Sequence, residues 1–548
     1  MAWVALVGPE EEENLSLRYL ASSLEAAGLQ AEILPFNAPR DLGRALQAIL
    51  TAEEPPLMVG ISLAFQWRAK DCLALAVALR EQGYRGHVTA GGHFGAFACR
   101  EVLADFPEVD SICRYEAEKT LVGLARAVAS GDSLASVAGL AFHDGHGRTV
   151  LTELGKPPDL DRLDWPDRRG EPTSCLGHRI AALVGSRGCY ANCAFCCIAA
   201  WHAQSPSGVR FRMRPVDDVA DEMAWLNRER GIDIFIFHDD NFFVPGHDRN
   251  LERIHALADA LEARGVGRIG TVVKARPVDV TPEVFRTAQE RLGCIRVFLG
   301  IETDSARGLR TLHRCVQRDQ NHEAMRILAD LGLYVCFNML IFDPDTTIED
   351  LETNLAFMET HVESPWNFGR VELYAGTPLL ARMQAEGRCT GDYLGWDYRL
   401  ASPEVQRIFE ITMRCFYPRN FAAGALANRL QSTRFDAEVC RHFHPGVFRE
   451  SWLNEAKGLS RLLARDSVAG LREIIECVRK RGVSDGEILA EDFSRRLRRT
   501  EAELNAAADD LERRIQKAVG TRCRHSRPVE AIVGQPTQAD FKELHNEC

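Results

Sequence analysis

The stretch that most constrains this chain is Gly188-Cys189-Tyr190-Ala191-Asn192-Cys193-Ala194-Phe195-Cys196, a C-x-x-x-C-x-x-C run. It follows an apolar, strand-like segment, Ile180 to Val184, so it belongs on a loop at a strand end. Three thiols this close cannot all pair as disulfides, and they are one short of a closed four-thiolate site. Such a set suits an iron–sulfur cluster with one iron open to another ligand. A zinc site would need a second C-x-x-C or a histidine pair at ligand spacing, and neither stands nearby. A plain loop of reduced thiols is the remaining alternative. The glycine before the first cysteine agrees with the cluster.

The rest of the chain sets the context for that loop. Its 548 residues suggest several domains. A formal net charge of -12 argues against a general nucleic-acid or anionic-membrane binder. There is no apolar run long enough to span a bilayer. Met1 to Gly8 lacks a basic flank and reads as a buried strand rather than a signal peptide. Outside the cluster the cysteines are scattered singly, as at Cys72, Cys99, Cys113 and Cys294. That usage fits a reducing cytoplasm with mostly inert core thiols.

Residues 1 to about 150 alternate short apolar strands with amphipathic helices. Strands are expected at Trp3–Val7, Ala31–Pro35, Leu57–Leu63 and His87–Ala90, with helices at Leu15–Ala27, Arg40–Thr51 and Asp71–Gln82. This α/β pattern predicts a doubly wound, Rossmann-like parallel sheet, which binds ligands beyond the carboxyl ends of its strands. Two loops lie there: Ser62 to Arg68, and Gly91-Gly92-His93. Paired glycines let a backbone approach a ligand closely. A Pro-rich connector, residues 151 to 177, leads to a second domain at about 178 to 390. Its expected strands each end in polar residues: His238-Asp239-Asp240-Asn241, Arg276, Glu302, Asp343, and, after Val371–Tyr374, Gly376-Thr377. Carboxyl ends of parallel barrel strands are where such folds place their chemistry. Singly, each acidic residue could equally be a helix cap or an ion-pair partner.

The cysteine run, Phe195 before its last cysteine, and Phe298-Leu299-Gly300-Ile301-Glu302-Thr303 together resemble the radical S-adenosylmethionine (SAM) superfamily. Phe342 to Thr347 resembles that superfamily's fifth-strand segment only at Pro344 and Thr347. The Gly91-Gly92 turn and Tyr115-Glu116-Ala117-Glu118-Lys119-Thr120-Leu121, a degenerate G-E-G-E-x-T-L, resemble the cobalamin-binding domain of one branch. That branch includes carbon and phosphorus methylases and the anaerobic magnesium-protoporphyrin ester cyclase.

The resemblance implies a partial (β/α)6 barrel. It implies a [4Fe-4S] cluster on Cys189, Cys193 and Cys196, with Cys197 out of register, and SAM on the open iron. Phe195 would lie near the adenine, Glu302 near the ribose or amino group, and Arg212 or Arg214 would offset the carboxylate. It further implies cobalamin, with Gly91, Gly92 and His93 at its site. The D-x-H-x-x-G motif of the mutases is absent, so Gln66, Trp67 or Arg68 would face the cobalt. Asp239, Asp240 and Tyr374 are candidates for substrate binding or proton removal.

The activity implied is transfer of a methyl group from methylcobalamin to a carbon of a small molecule, such as a natural-product intermediate. The reduced cluster would take its electron from a donor such as flavodoxin or ferredoxin. A radical SAM cyclase that need not use cobalamin is the competing enzyme reading. An iron–sulfur or corrinoid sensor or carrier is the reading from another class.

Residues 391 to 548 read as mainly α-helical, with helices expected at Pro403–Phe416, Trp452–Arg465, Leu471–Lys480 and Ser494–Val519. In the resembling family this region often caps the substrate cavity, where His442 and His444 could touch substrate; a histidine on a helical surface is more often simply solvated. Cys523, His525 and Cys548 suggest at most a weak second metal site.

Overall fold

The computed structural model of the protein describes residues 3–205, 208–481 and 486–520. Cys523, His525 and Cys548 therefore lie outside the described residues.

The first sheet has five parallel strands, β1 (Trp3–Gly8), β2 (Gln30–Pro35), β3 (Met58–Ser62), β4 (His87–Gly91) and β5 (Ser111–Cys113), in the order β2-β1-β3-β4-β5. An antiparallel hairpin, β6 (Leu140–His143) and β7 (Thr149–Leu151), extends it beyond β5. Both faces are covered. Ala5 and Val7 pack with the helices Leu42–Leu50 and Ala69–Glu81, while Val4 and Leu6 pack with the helices Leu15–Ala26 and Glu118–Ser130. Burial on both faces is why β1 reads as one apolar run, Val4 to Val7, without alternation. Strand order reverses between β1 and β3. That switch point leaves a crevice at the strands' carboxyl ends.

The second sheet starts with β8 (Thr173–Cys175), antiparallel to β9 (His178–Leu183). A small pair, β10 (Ser186–Gly188) and β11 (Phe211–Met213), stands on the carboxyl end of β9. Then β12 (Ile232–Phe237), β13 (Gly270–Ala275), β14 (Cys294–Glu302), β15 (Tyr334–Phe342) and β16 (Trp366–Arg370) follow in parallel. Six parallel strands, β9 and β12 to β16, form an open partial barrel. One parity of side chains, Phe235, Phe237, Val297, Leu299 and Phe337, packs outward on the connecting helices. Fully burying one such aromatic contributes about 1.5–3 kcal/mol. The other parity, Ile234, Ile236, Val272, Tyr334 and Cys336, faces the concave side.

The sequence placed the last strand at Val371–Tyr374. It is instead β16, paired with β15 from Phe337↔Trp366 to Phe342↔Arg370. Asn367 and Gly369 inside it masked its strand character. The two helices expected at Trp452–Arg465 and Leu471–Lys480 are one, Glu450–Arg481. A helix at Leu426–Phe443 was not expected at all. It fills the concave side, with Leu426, Leu430 and Val439 against the inner parity of the sheet. Arg296 of β14 reaches it, donating to Gln431 Oε1 at 3.0 Å and to Cys336 Sγ at 3.2 Å. Because protein surrounds it, this helix buries Gln431, Arg434, Asp436 and Glu438 along with its leucines, which erases the amphipathic stripe that would reveal it.

Candidate functional site

The cysteine loop is held from beneath by the two aspartates that end β12. Asp239 is fully buried and accepts hydrogen bonds from Gly185 N at 2.9 Å and from Ser186 Oγ, with Arg253 at 3.9 Å. Both of its oxygens are engaged in fixing the chain as it leaves β9. The expectation of a catalytic Asp239 is therefore corrected to a structural one. Asp240 accepts from Gly188 N at 3.0 Å. Gly188 has φ 87°, and a Cβ there would lie 1.9 Å from Arg210 O. Only glycine can occupy that turn.

Cys189 and Cys196 are half-buried, Cys193 is buried, and none is paired. Burial pushes the thiols of Cys189 and Cys196 upward, and the charge of Cys193 adds to both shifts. The three are thus near one another. Yet among the described residues no three His, Cys, Asp or Glu side chains converge as a single-ion site requires. Three thiols on one loop suit a multi-iron cluster, in which each thiolate takes its own iron. Cys197 starts the helix Cys197–Gln204, and burial raises its thiol to about 12. Phe195, between the second and third thiols, is half-buried against the barrel core.

Next to the loop stand groups suited to an anionic, amino-bearing ligand. Glu302 closes β14 at φ 64°, in a three-residue turn with Thr303 N on Ile301 O at 2.8 Å. A bulky residue held there carries strain of the kind found at binding sites. Burial raises the Glu302 carboxyl, and the guanidinium groups of Arg314 and Arg276 oppose that rise. Arg276 lies 5.3 Å over the Tyr190 ring, and Arg314 donates to Cys193 Sγ at 3.2 Å. The Nε of each arginine is buried without a hydrogen-bond partner. Tyr374 sits near Cys196 and Cys197, and burial, then the Glu372 carboxylate, holds its phenol well above the ordinary range.

Arg214, expected beside the SAM carboxylate, is engaged elsewhere. It pairs with Glu222 at 2.6 Å and Asp218 at 2.7 Å, and donates to Val184 O. Arg212 pairs with Glu116 and donates to Pro158 O at 2.9 Å. Arg276 and Arg314 are the cations that actually face the thiols and Glu302. Arg276 followed a predicted strand; nothing local marked Arg314.

A cavity of about 250 Å³ opens between the two sheets. From the first domain it takes Ser62, Ala64, Gly91, Gly92 and His93, at the switch point; from the second it takes Arg187, Trp201, His238 and Asp240. A Cβ on Gly92, at φ 103°, would meet Ala64 N and Leu63 C at 2.9 Å. Burial keeps the imidazoles of His93, His202 and His238 neutral, lowering them to about 4, about 3 and about 3. Trp201 Nε1 is buried without a partner on this wall, 4.9 Å from the His93 ring between centroids. An unspent donor and neutral imidazoles between two strand-end walls suit a large polar cofactor.

The two walls are joined by charge. Arg187 pairs with Glu116 and Glu118 at 2.7 Å each. Gln66 also joins them: its amide donates to Leu373 O at 3.0 Å and accepts from Ala375 N at 2.9 Å. Gln66 is thereby a clasp between domains, which corrects its assignment to cobalt. Trp67 lies outside the cavity wall, half-buried, with Arg68 5.6 Å over its ring. Arg68 itself donates to Phe36 O at 2.8 Å.

His442 and His444 sit at the opposite end of the barrel. His442 bonds to Ile269 O at 2.8 Å and His444 Nε2 lies 3.1 Å from His178 Nε2, at the amino ends of β13 and β9. They do not reach the substrate side of the barrel. The histidines came adjacent to a helix end whose packing the sequence did not disclose.

Asp240 is open to the solvent of the cavity, yet protein atoms surround it and govern its titration. Burial raises its carboxyl to about 6, against the charge of Lys274. The ionised form that accepts from Gly188 is therefore complete well above pH 6, half populated near that value, and lost as pH falls through it. We expect SAM cleavage to decline below pH 6, and Asp240→Asn, which keeps an acceptor oxygen, to lose that inflection. A pH profile of 5′-deoxyadenosine release checks this.

Two family models match the chain: the B12 binding domain over residues 3–125 and the Radical SAM superfamily over residues 183–358. An uncharacterized methyltransferase, PH0819, of Pyrococcus horikoshii is 26% identical over 377 residues, covering 67% of this chain and 77% of that protein. The anaerobic magnesium-protoporphyrin IX monomethyl ester cyclase of Rubrivivax gelatinosus is 27% identical over 350 residues, 61% of this chain and 60% of its own length. The cobalamin-dependent SAM radical enzyme OxsB, solved with aqua-cobalamin and SAM, shares the fold at a TM-score of 0.65 and 17% identity, covering 95% of this chain and 84% of that one. No described helix is long and apolar enough to cross a membrane. The chain thus carries a B12-binding domain and a radical SAM domain in tandem on one polypeptide, and the cofactors of that pair of domains are cobalamin, a [4Fe-4S] cluster and SAM.

Proposed function

We propose that the protein is a cobalamin-dependent radical SAM methyltransferase acting on a carbon of a small molecule, with an electron donor such as flavodoxin or ferredoxin. The observation that carries this reading is the shared cavity, whose walls are the ligand-binding strand ends of both domains. When bound, the reduced cluster with SAM supplies a 5′-deoxyadenosyl radical and methylcobalamin supplies a methyl group. The chain's own residues bind, orient and exclude water. Cys189, Cys193 and Cys196 hold the cluster. Arg276 and Arg314 offer unspent guanidinium donors to the SAM carboxylate, and Glu302 accepts from its amino or ribose groups. The Leu426–Phe443 helix closes the concave side from below, which keeps bulk water from the lumen. Asp240 and Tyr374 stand where a substrate proton or hydroxyl would be met.

The test is turnover of reconstituted enzyme with methyl-deuterated SAM and a panel of small-molecule acceptors. A product labelled on carbon, formed with 5′-deoxyadenosine, supports the reading. Substrate-dependent 5′-deoxyadenosine without labelled product supports instead the cyclase reading, which the Rubrivivax relative favours. No SAM cleavage with an intact cluster defeats both.

A further inference from the structure

Arg314 stands out among the groups around the thiols because two independent features aim it at one of them. It is buried at 5% exposure, and its guanidinium donates through Nη1 to Cys193 Sγ at 3.2 Å. The other nitrogen of its fork donates to Gly300 O, in the segment that ends at Glu302. The flanking residues His313 and Cys315 both hold φ 50°, the left-handed region that β-carbon sterics disfavour. Two such positions flanking a single residue amount to a costly local geometry.

That geometry is fastened to the cysteine loop at several points. Ala194 N donates to Leu312 O at 2.9 Å, and His313 Nδ1 lies 3.2 Å from Asn192 O. Arg276 donates to the Arg314 carbonyl. The segment from Leu312 to Cys315 is thus a strap over the loop, and its strained backbone delivers one permanent positive charge to one thiol.

We propose that Arg314 tunes the reduction potential of the cluster by donating a charge-assisted hydrogen bond to Cys193, and so acts through that ligand. This rests on the cluster reading of Cys189, Cys193 and Cys196. Reduction adds one electron and so one negative charge to the cluster. A guanidinium at a ligand sulfur stabilises the more negative state, and hydrogen bonds to cluster sulfurs are a recognised lever on potential. Burial removes water screening from this charge, and although the Glu302 carboxylate also faces it, Arg314 is the guanidinium bonded to Cys193.

The experiment uses the reconstituted full chain without SAM. Arg314→Gln and Arg314→Lys are compared with the native protein by EPR-monitored titration with titanium(III) citrate, alongside iron and sulfide content. We expect full iron in both variants. In Arg314→Gln the reduced-to-oxidised ratio at a fixed poise falls about tenfold, which is about 59 mV for a one-electron couple. In Arg314→Lys, which keeps the charge, the fall is smaller. An Arg314→Gln protein with full iron and the native potential overturns the proposal. Loss of iron from both variants overturns it too, because the arginine then serves only the fold of the loop. Failure of the native protein to take up iron and sulfide would instead defeat the underlying cluster reading.

Discussion

Cys193→Ala yields a protein that takes up no [4Fe-4S] cluster and cleaves no SAM, while its far-UV circular dichroism stays native. The thiol is buried, bears the Arg314 hydrogen bond, and lies in the middle of the loop. A three-thiolate site has no spare ligand, so removing one leaves two irons of four without a protein donor. The fold has less at stake. Loss of one buried side-chain hydrogen bond to a charged group costs about 1.5–3 kcal/mol, which a domain with cores on both sheet faces survives. The control is Cys197→Ala. Cys197 starts the next helix and stands one position past the register, so this variant keeps both cluster and cleavage. Absorption near the cluster band, iron content and 5′-deoxyadenosine release read out both variants. A cluster retained in Cys193→Ala, or lost in Cys197→Ala, would require a different ligand set.

Gly92→Ala is expected to lose cobalamin. The residue combines φ 103° with backbone atoms of Leu63 and Ala64 only 2.9 Å from where a Cβ would stand. Neither obstacle is a flexible side chain that could swing away. Left-handed strain and overpacking together cost about 2–4 kcal/mol. The loop after β3 is displaced as a result, and Ala64 of that loop lines the cavity beside Ser62, the last residue of β3. An increase in the cobalamin Kd of at least about tenfold corresponds to 1.4 kcal/mol, well inside what the displacement makes available. Gly95→Ala is the matched control, because its Cβ would meet only side chains at 3.5 Å or more, within a helix. Cobalamin absorbance retained after gel filtration separates the two. A Gly92→Ala protein that is less stable but binds cobalamin normally would assign this turn to folding alone.

What the sequence disclosed was local and chemical. Cys189, Cys193 and Cys196, Gly91-Gly92 and the Gly300-Ile301-Glu302 strand end each carry their meaning within a few residues. The alternation of strands and helices was equally visible, since the apolar periodicities of β1 to β4 and β12 to β15 are set by burial. The misses share another cause. Gln66 acts through backbone groups 307 residues away at Leu373, and Arg314 acts through a strap whose approach to Cys193 exists only after folding. Arg214 read as a cation free for a ligand because nothing in its neighbourhood shows Glu222 turning back toward it. The Leu426–Phe443 helix, buried with its charges, resembled a polar connector. Contacts made across the fold leave no local pattern.

The ion cluster of Arg187, Arg212, Glu116 and Glu118 bears on how such enzymes can be recombined. The Pro-rich connector looks like the natural place to cut and rejoin modules from different relatives. The functional seam is elsewhere, running between the Tyr115–Glu118 segment and β10 and β11. A transplanted first domain that brings its own acids but meets a barrel lacking Arg187 and Arg212 would place two buried carboxylates against a neutral wall, a mismatch costing about 3–5 kcal/mol for one stranded charge. Module exchange in this architecture therefore has to carry both sides of that seam, acids and arginines together, for the two walls to enclose one cofactor space.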